Sequence, residues 1–455
     1  MTEFLVAAPA SGAGKTTMVC ALLAALQAQG ESPCAFKCGP DYIDPMFHRA
    51  VLGLDSYNLD LFFSTPETVR HQFALHSAGH SAVVCEGAMG FYDGLGGTTT
   101  DASAWAVADA LDLPVLLVLR PKGASLTLAA QVQGLQRFRT PSHIAGILLN
   151  DCTPSLHALL APMLERETGV PVLGYLPHLP EAELPSRHLG LYTAAELSDL
   201  KEKIQLLQTA AQVHIQWPRL HTLCKAAPRE AETAACSAPR VKIAIARDEA
   251  FCFTYAETLE TLRQAGAELA FFSPMQDEIL PDGADGLYLP GGYPELHAET
   301  LSRNCSMRRA IRDAVRSGLP TVAECGGFLY LGQSLQDADG AIYPMAGVLP
   351  GEGFRVGRLV RFGYAQLSAA EDSLLFRAGE QFPVHEFHHW DSTENGAALT
   401  AQKPTTGRQW QCGFTGSSLY AGFPHLYWAG TPLPGRFVDA AERYDAAERY
   451  KEHRT

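Results

Sequence analysis

The stretch from Phe4 to Thr17, reading FLVAAPASGAGKTT, constrains this chain more than any other. An apolar run of strand length feeds a loop of small residues. Gly14-Lys15-Thr16 then opens an Ala/Leu-rich helical pattern. Strand, small-residue loop and helix N-terminus in that order make a phosphate-binding loop. Backbone N–H groups from Ser11, Gly12, Ala13, Gly14 and Thr17 face the anion, Lys15 reaches the β- and γ-phosphates, and the Thr16 hydroxyl suits Mg²⁺. The first glycine of the usual G-x-x-x-x-G-K-[ST] pattern is replaced here by Pro9. ATP is the expected co-substrate, with Mg²⁺ as cofactor.

Short apolar strands alternate with helical patterns through the first half, which predicts a parallel α/β sheet. Expected strands are Glu3–Ala8, Pro33–Lys37, Ser81–Cys85, Pro114–Leu119, Ile144–Leu149 and Val170–Tyr175. Expected helices cover Lys15–Gln29, Pro66–Ser77, Ala102–Leu111 and Leu126–Phe138. At 455 residues the chain is too long for one ordinary core. The texture loses its periodicity around residues 225–240, and a second α/β series starts at Val241. The expected division is an ATP-binding domain over 1–225, a linker over 226–240, a second α/β domain over 241–435, and a charged helix or tail over 436–455. Ala440–Tyr444 and Ala446–Tyr450 repeat the same five residues, too short a unit for a repeat architecture.

Acidic positions follow the expected strands at places where an open parallel sheet presents its ligand. Asp41 and Asp44 follow the second strand, and Glu86 and Asp93 follow the third. A carboxylate leaving a buried strand suits Mg²⁺, which takes oxygen ligands and keeps several waters. Thr16, Asp41 and Glu86 are the metal candidates, and Asp44 and Asp93, set further along loops, face a second substrate. Asn150, after the fifth strand, offers its amide to the adenine edge. Each Asp also suits a helix cap or a turn.

In the second half, Ala323-Glu324-Cys325-Gly326-Gly327 ends an apolar strand and precedes a helical pattern, the setting of a nucleophile elbow. Pro290-Gly291-Gly292 supplies a glycine turn, so the N–H groups of Gly292 and Gly326 form a candidate oxyanion hole. A cysteine nucleophile needs a base. Two histidines compete for that part: His425, in Phe423-Pro424-His425-Leu426-Tyr427, and His388, in His385-Glu386-Phe387-His388-His389.

The segments Phe36–His48, Glu86–Gly94 and Arg187–Leu191 resemble the cobyrinate a,c-diamide synthase family, and the similarity runs along nearly the whole chain. That resemblance implies a dethiobiotin-synthetase-like ATPase domain joined to a class I glutamine amidotransferase domain. It implies an ATP-dependent ligase that amidates the a and c acetates of cobyrinate or hydrogenobyrinate with ammonia from glutamine, through an acyl phosphate, in cobalamin biosynthesis. It favours Cys325 with His425 as the glutamine-hydrolysing pair, leaving His388 to line a corrinoid or ammonia path. Many class I amidotransferases carry Glu two residues after this histidine, whereas Tyr427 stands here. Lys37, Arg187 and His188 become candidates for holding the acceptor's carboxylates, a task suited to bidentate arginine. A nickel-sirohydrochlorin a,c-diamide synthase shares these motifs. A P-loop ATPase switch with a non-catalytic second domain, and a bicarbonate-using carboxylase, are rivals that an intact Cys–His pair disfavours.

Charge and composition bound the partners. Lys+Arg 35 against Asp+Glu 49 leaves a net charge of −14, opposed to broad binding of nucleic acid or an anionic membrane. No apolar run reaches the length of a membrane span, and no basic-apolar leader precedes the first strand, so a cytoplasmic enzyme is expected. Eleven cysteines without metal spacing fit reduced thiols, the Cys34/Cys38 pair included. The partners are small molecules (ATP, glutamine and the macrocycle), and the oligomeric state stays open, with a homodimer among the options.

Overall fold

The computed structural model describes residues 1–184, 186–187, 190–191, 199–229 and 238–452. The chain divides into two compact units, Met1–Thr233 and Ala234–Thr455.

In the first unit seven parallel strands lie in the order β3-β2-β4-β1-β5-β6-β7. They are β1 (Thr2–Ala7), β2 (Pro33–Cys38), β3 (Ser56–Leu59), β4 (Ala82–Glu86), β5 (Val115–Leu119), β6 (Ile144–Leu149) and β7 (Val172–Tyr175). The central strands are buried on both faces, which is why they read as continuous apolar runs. The helices described are α1 (Lys15–Ala28), α2 (Ile43–Leu52), α3 (Pro66–Ser77), α4 (Ala104–Leu111), α5 (Leu126–Phe138), α6 (Pro154–Thr168), α7 (Leu200–His214) and α8 (Trp217–Leu223). Helix α1 is buried from Met18 to Leu26 on all sides, as its nearly uniform apolar sequence requires.

Two departures from the sequence expectation bear on the site. The segment after β2, read as a loop, turns into α2 within a few residues, so Asp44 lies in a helix's first turn. The signals were local: Asp41 Oδ1 accepts from Ile43 N at 2.8 Å, Pro45 sits just inside the start, and Gly53 closes the end at φ 63°. Strand β3, Ser-Tyr-Asn-Leu, was not foreseen because its polar residues mask the strand period. Those polar residues hold the motif in place. Buried Asn58 donates to the carbonyls of Gly39 (2.9 Å) and Asp41 (2.8 Å), clamping the turn that carries Asp41.

The second unit holds a six-stranded sheet ordered Ala267–Phe272, Val241–Ala246, Gly286–Leu289, Thr321–Glu324, Leu419–Gly422, Phe414–Thr415. All neighbours are parallel except the last pair. A five-stranded antiparallel sheet beside it runs Gln409–Cys412, Leu399–Gln402, Arg361–Ala369, Gln381–His388, His425–Leu426. The chain passes from one sheet to the other between Gly422 and His425. The terminal helix Leu433–Glu452 is no loose tail: it buries Phe437, Val438 and Ala441 in the core of this unit. Among the described residues no helix is long and apolar enough to cross a membrane.

Asn58→Ala would leave two carbonyls in the β2–α2 turn without their donor. A loss of about 1–3 kcal/mol is expected for such buried partners, read as a lower denaturant midpoint for the first unit.

Candidate functional site

Register brings the chemistry of the first unit together. Glu86, the last residue of β4, pairs with Val6 of β1 on one side and Lys37 of β2 on the other. It therefore lies beside the start of the phosphate loop. Thr16 Oγ1 donates to Glu86 Oε1 at 2.6 Å, and Lys37 Nζ donates to the same oxygen at 2.9 Å. Lys37 also pairs with Asp44 and stands 4.0 Å from Asp41 Oδ2. His48 Nε2 is 3.7 Å from Glu86 Oε2, which accepts no hydrogen bond among the described residues. Burial would raise the Asp44 pKa, but the Lys37 charge outweighs it and holds this carboxyl below its usual range. Burial raises Glu86, and it lowers His48 to about 4, so that ring is neutral near pH 7.

Lys15 donates to the carbonyl of Met89, a residue at φ 49°, a strained conformation for a side-chain-bearing residue. Burial and the charge of Lys37 lower Lys15 to about 8, while Glu86, Asp44 and Asp93 act in the opposite sense. Asp93 Oδ2 accepts from Gly90 N at 3.0 Å, bracing the same turn. Asn150 Nδ2 donates to Ala13 O at 3.0 Å, which puts the β6 loop against the phosphate loop.

The sequence candidates thus sort themselves differently from their order along the chain. Glu86, Lys37 and Asp44 form one buried cluster with half-buried Thr16 against it, and Asp41, at its edge just before α2, accepts from Ile43 N. Lys37, expected to hold an acceptor carboxylate, is instead buried between protein carboxylates. Asp44, expected beside Asp93, belongs with Glu86. The backbone of Arg187 forms a short hairpin strand, but its side chain, and all of His188, lie outside the described residues.

The cluster fits Mg²⁺ by its donor set: a hydroxyl on a buried carboxylate whose second oxygen accepts no hydrogen bond, beside a lysine whose ammonium already sits among the acids. Among the described residues no group of three His, Cys, Asp or Glu could hold a metal by itself. Mg²⁺ bound through one or two protein oxygens, phosphates and water needs no such cage.

In the second unit Cys325 follows the strand Thr321–Glu324 and caps the helix Gly326–Leu331 at φ 47°, ψ −100°. This is the strained turn expected of an elbow. Cys325 N donates to Gly422 O at 2.8 Å, continuing the pairing of Glu324 with Gly422, so His425 comes close by register. A Cβ on Gly291 would meet His425 Cε1 at 2.5 Å; the glycine lets the imidazole lie on the backbone. A Cβ on Gly326 would meet Gly292 N at 3.0 Å, so the two turns of the candidate oxyanion hole abut.

Burial pushes the Cys325 thiol well up, with Glu295 and Glu386 adding to it and the Gly326 N–H opposing. Burial, with His388 nearby, lowers His425 to about 3. His388 is engaged on both ring nitrogens, Nδ1 with Trp390 O at 2.6 Å and Nε2 with Glu386 Oε2 at 3.3 Å. It stacks on Phe423 at 3.8 Å. Both of its ring nitrogens are thus directed at protein oxygens and not at Cys325.

One residue escaped functional notice in the sequence. Glu324 is fully buried; its Oε2 accepts from Tyr288 OH at 3.0 Å and lies 3.9 Å from His425 Nδ1, and its Oε1 accepts from Leu426 N at 3.2 Å. The available signal was an acidic residue inside an otherwise apolar strand end.

Comparison with known proteins follows the same division. Residues 4–191 match the CobQ/CobB/MinD/ParA nucleotide binding domain, and residues 242–431 match the CobB/CobQ-like glutamine amidotransferase domain. The cobyrinate a,c-diamide synthase of Caldanaerobacter subterraneus subsp. tengcongensis is 38% identical over 428 residues, 93% of this chain and 94% of that protein. The protein of that name from Synechococcus sp. is 38% identical over 454 residues, covering 98% of this chain and 99% of the relative. The hydrogenobyrinate a,c-diamide synthase of Brucella anthropi is 41% identical over 406 residues, with 88% and 91% covered.

Burial raises the Glu324 pKa from 4.5 to about 7. A folded-state pKa raised this way adds stability at low pH that is lost as pH rises through about 7. Glutamine, neutral throughout, has no such loss. Glu324→Gln should therefore gain melting temperature relative to the parent between pH 5 and pH 8, measured by paired thermal melts.

Proposed function

This chain belongs to the cobyrinate a,c-diamide synthase family, and from that premise we propose that it amidates the a and c acetates of cobyrinate, or of its metal-free hydrogen form, using ATP and glutamine in cobalamin biosynthesis. The observation that carries the reading is the pairing of a phosphate-loop cluster in one unit with a strained Cys325 elbow beside His425 in the other.

A carboxylate has no adequate leaving group at neutral pH. Its oxygen attacks the γ-phosphorus, the bond to ADP breaks, and an acyl phosphate results. Ammonia then attacks the acyl carbon and phosphate leaves. Lys15, with the loop N–H groups, offsets charge developing on the phosphoryl oxygens. Thr16 and Glu86 would hold Mg²⁺, with Asp41 and Asp44 at the edge; the ion would supply further charge neutralisation at the phosphates. The contacts of Lys37 with Glu86 and Asp44 make it a poor general holder of the macrocycle. Asn150 borders the loop that receives the nucleotide, and Arg187 and His188 remain candidates for the acceptor's carboxylates.

Nitrogen comes from glutamine. Cys325 Sγ attacks the side-chain amide carbon while His425 takes the thiol proton. The C–N bond breaks as His425 returns that proton to the leaving ammonia, and water hydrolyses the thioester. The N–H groups of Gly292 and Gly326 receive the oxyanion. His425 suits the base role because it stays neutral at working pH, whereas both nitrogens of His388 face acceptors. A soluble cytoplasmic enzyme fits this chemistry, and a homodimer is compatible with it.

Cys325→Ala should abolish glutamine-dependent amidation while ammonium chloride still supports it, because activation belongs to the other unit. Lys15→Ala should stop amidation from both nitrogen sources. Mass spectrometry of the macrocycle after incubation with MgATP reads both outcomes, and a Cys325→Ala protein still releasing ammonia from glutamine would refute the division of labour.

The two aspartates originally paired by sequence should separate. Asp44→Asn and Glu86→Gln should both raise the Mg²⁺ requirement, since both carboxylates sit on Lys37. Asp93→Asn should bind MgATP nearly normally while single-turnover amidation slows, by roughly a hundredfold if the acceptor shifts by about 1 Å. Equal effects of the two substitutions on nucleotide titration would contradict this split.

A further inference from the structure

We propose that Glu324 is the third member of the thiol–imidazole site, a positioning residue that orients His425 and stabilises the imidazolium formed when it takes the Cys325 proton. The inference rests on the glutaminase reading given above and extends it. Nothing in the comparisons assigns this residue a part, and the position two residues after the histidine is Tyr427, whose ring packs edge-on against Tyr255 at 5.2 Å.

The geometry is specific. His425 Nδ1 lies 3.9 Å from Glu324 Oε2, so Nε2 is the nitrogen the proposal assigns to the thiol proton. A separation of this size is compatible with a contact that tightens to a hydrogen bond only in the substrate complex. The carboxylate is itself fixed: Tyr288 OH donates to Oε2 at 3.0 Å and Leu426 N to Oε1 at 3.2 Å. Leu426 directly follows His425, so Glu324 grips the backbone that carries the base while facing its ring. The residue also directly precedes the nucleophile, and one strand end thereby positions both partners.

Electrostatics point the same way. Isolated ionised carboxylates are costly to bury. Among the described residues no lysine or arginine pairs with Glu324; the titratable groups around it are Tyr288, Tyr420, Cys325 and His425. His425 is the one of these that becomes cationic, and it does so only during turnover. In the proton balance the thiol proton moves from Sγ to His425 Nε2 and then to ammonia. Glu324 neither gives nor takes a proton in this sequence; in its ionised form it faces the imidazolium. The other nearby acid, Glu386, is already committed to Arg361, Trp410 and His388.

The test is ammonia release from glutamine by the full chain, comparing Glu324→Gln and Glu324→Asp with the parent. Glutamine retains the shape, loses the charge and presents an N–H toward Nδ1, favouring the wrong imidazole tautomer. Its kcat should fall by about 10²-fold or more, with KM within threefold and ammonium-dependent amidation unchanged. Aspartate keeps the charge at a longer distance and should retain more turnover than glutamine, with the parent's rising limb in the pH profile; that limb should be absent from the Gln variant. A Gln variant within threefold of the parent kcat would overturn the inference. If the Gln protein does not fold, an Asp protein that amidates with ammonium yet has lost glutaminase, or has lost the rising limb, overturns it instead. A Cys325→Ala chain that still hydrolyses glutamine would sink the underlying reading, a result separate from these.

Discussion

Both halves of this chain are built around a carboxylate that burial makes expensive. Glu86 and Glu324 each end a parallel strand in the interior of a unit, where water cannot solvate them. A charge in that position persists only if nearby groups compensate it. The loops that supply the compensation are the loops that carry the reactive groups.

The two solutions differ in kind. Glu86 is matched at rest by the full positive charge of Lys37, with Thr16 as an added donor. Such a cluster is compensated within the protein itself. Glu324 receives neutral donors, a phenol and a backbone N–H, and faces an imidazole that burial keeps neutral. Its compensation is incomplete at rest. A tight turn and a thiol also kept neutral by burial complete a site in which charge appears only during reaction. This is an economy common to active sites: groups are held in environments that disfavour their resting charge and favour the charge of the transition state.

Backbone pairing decides which side chains meet. Glu86 reaches both Lys37 and the phosphate loop because β4 lies between β2 and β1. Glu324 reaches His425 because its strand pairs with Leu419–Gly422, whose continuation crosses to the antiparallel sheet at His425–Leu426. In each case about a hundred residues or fewer separate partners that a single register places side by side.

The sequence by itself determined the class of the fold and where the candidate reactive groups lie along the chain. Buried parallel strands such as Val115–Leu119 and Ile144–Leu149 announce themselves as apolar runs because both faces are covered. The phosphate loop and the cysteine elbow are legible because each motif is confined to a few consecutive residues with a strand before and a helix after. Tertiary structure decided the groupings. The polar residues of Ser56–Leu59 hid a strand whose Asn58 makes sense only against the turn it clamps. Asp44 left Asp93 for Lys37 once α2 formed, and Lys37 proved to be an internal counter-ion. Glu324 was one unremarked letter beside the nucleophile. Its meaning depends on Tyr288, Leu426 and His425, which strand order alone brings within reach. Local motifs are written in consecutive residues, whereas charge compensation in a buried site is settled by register between strands far apart in sequence.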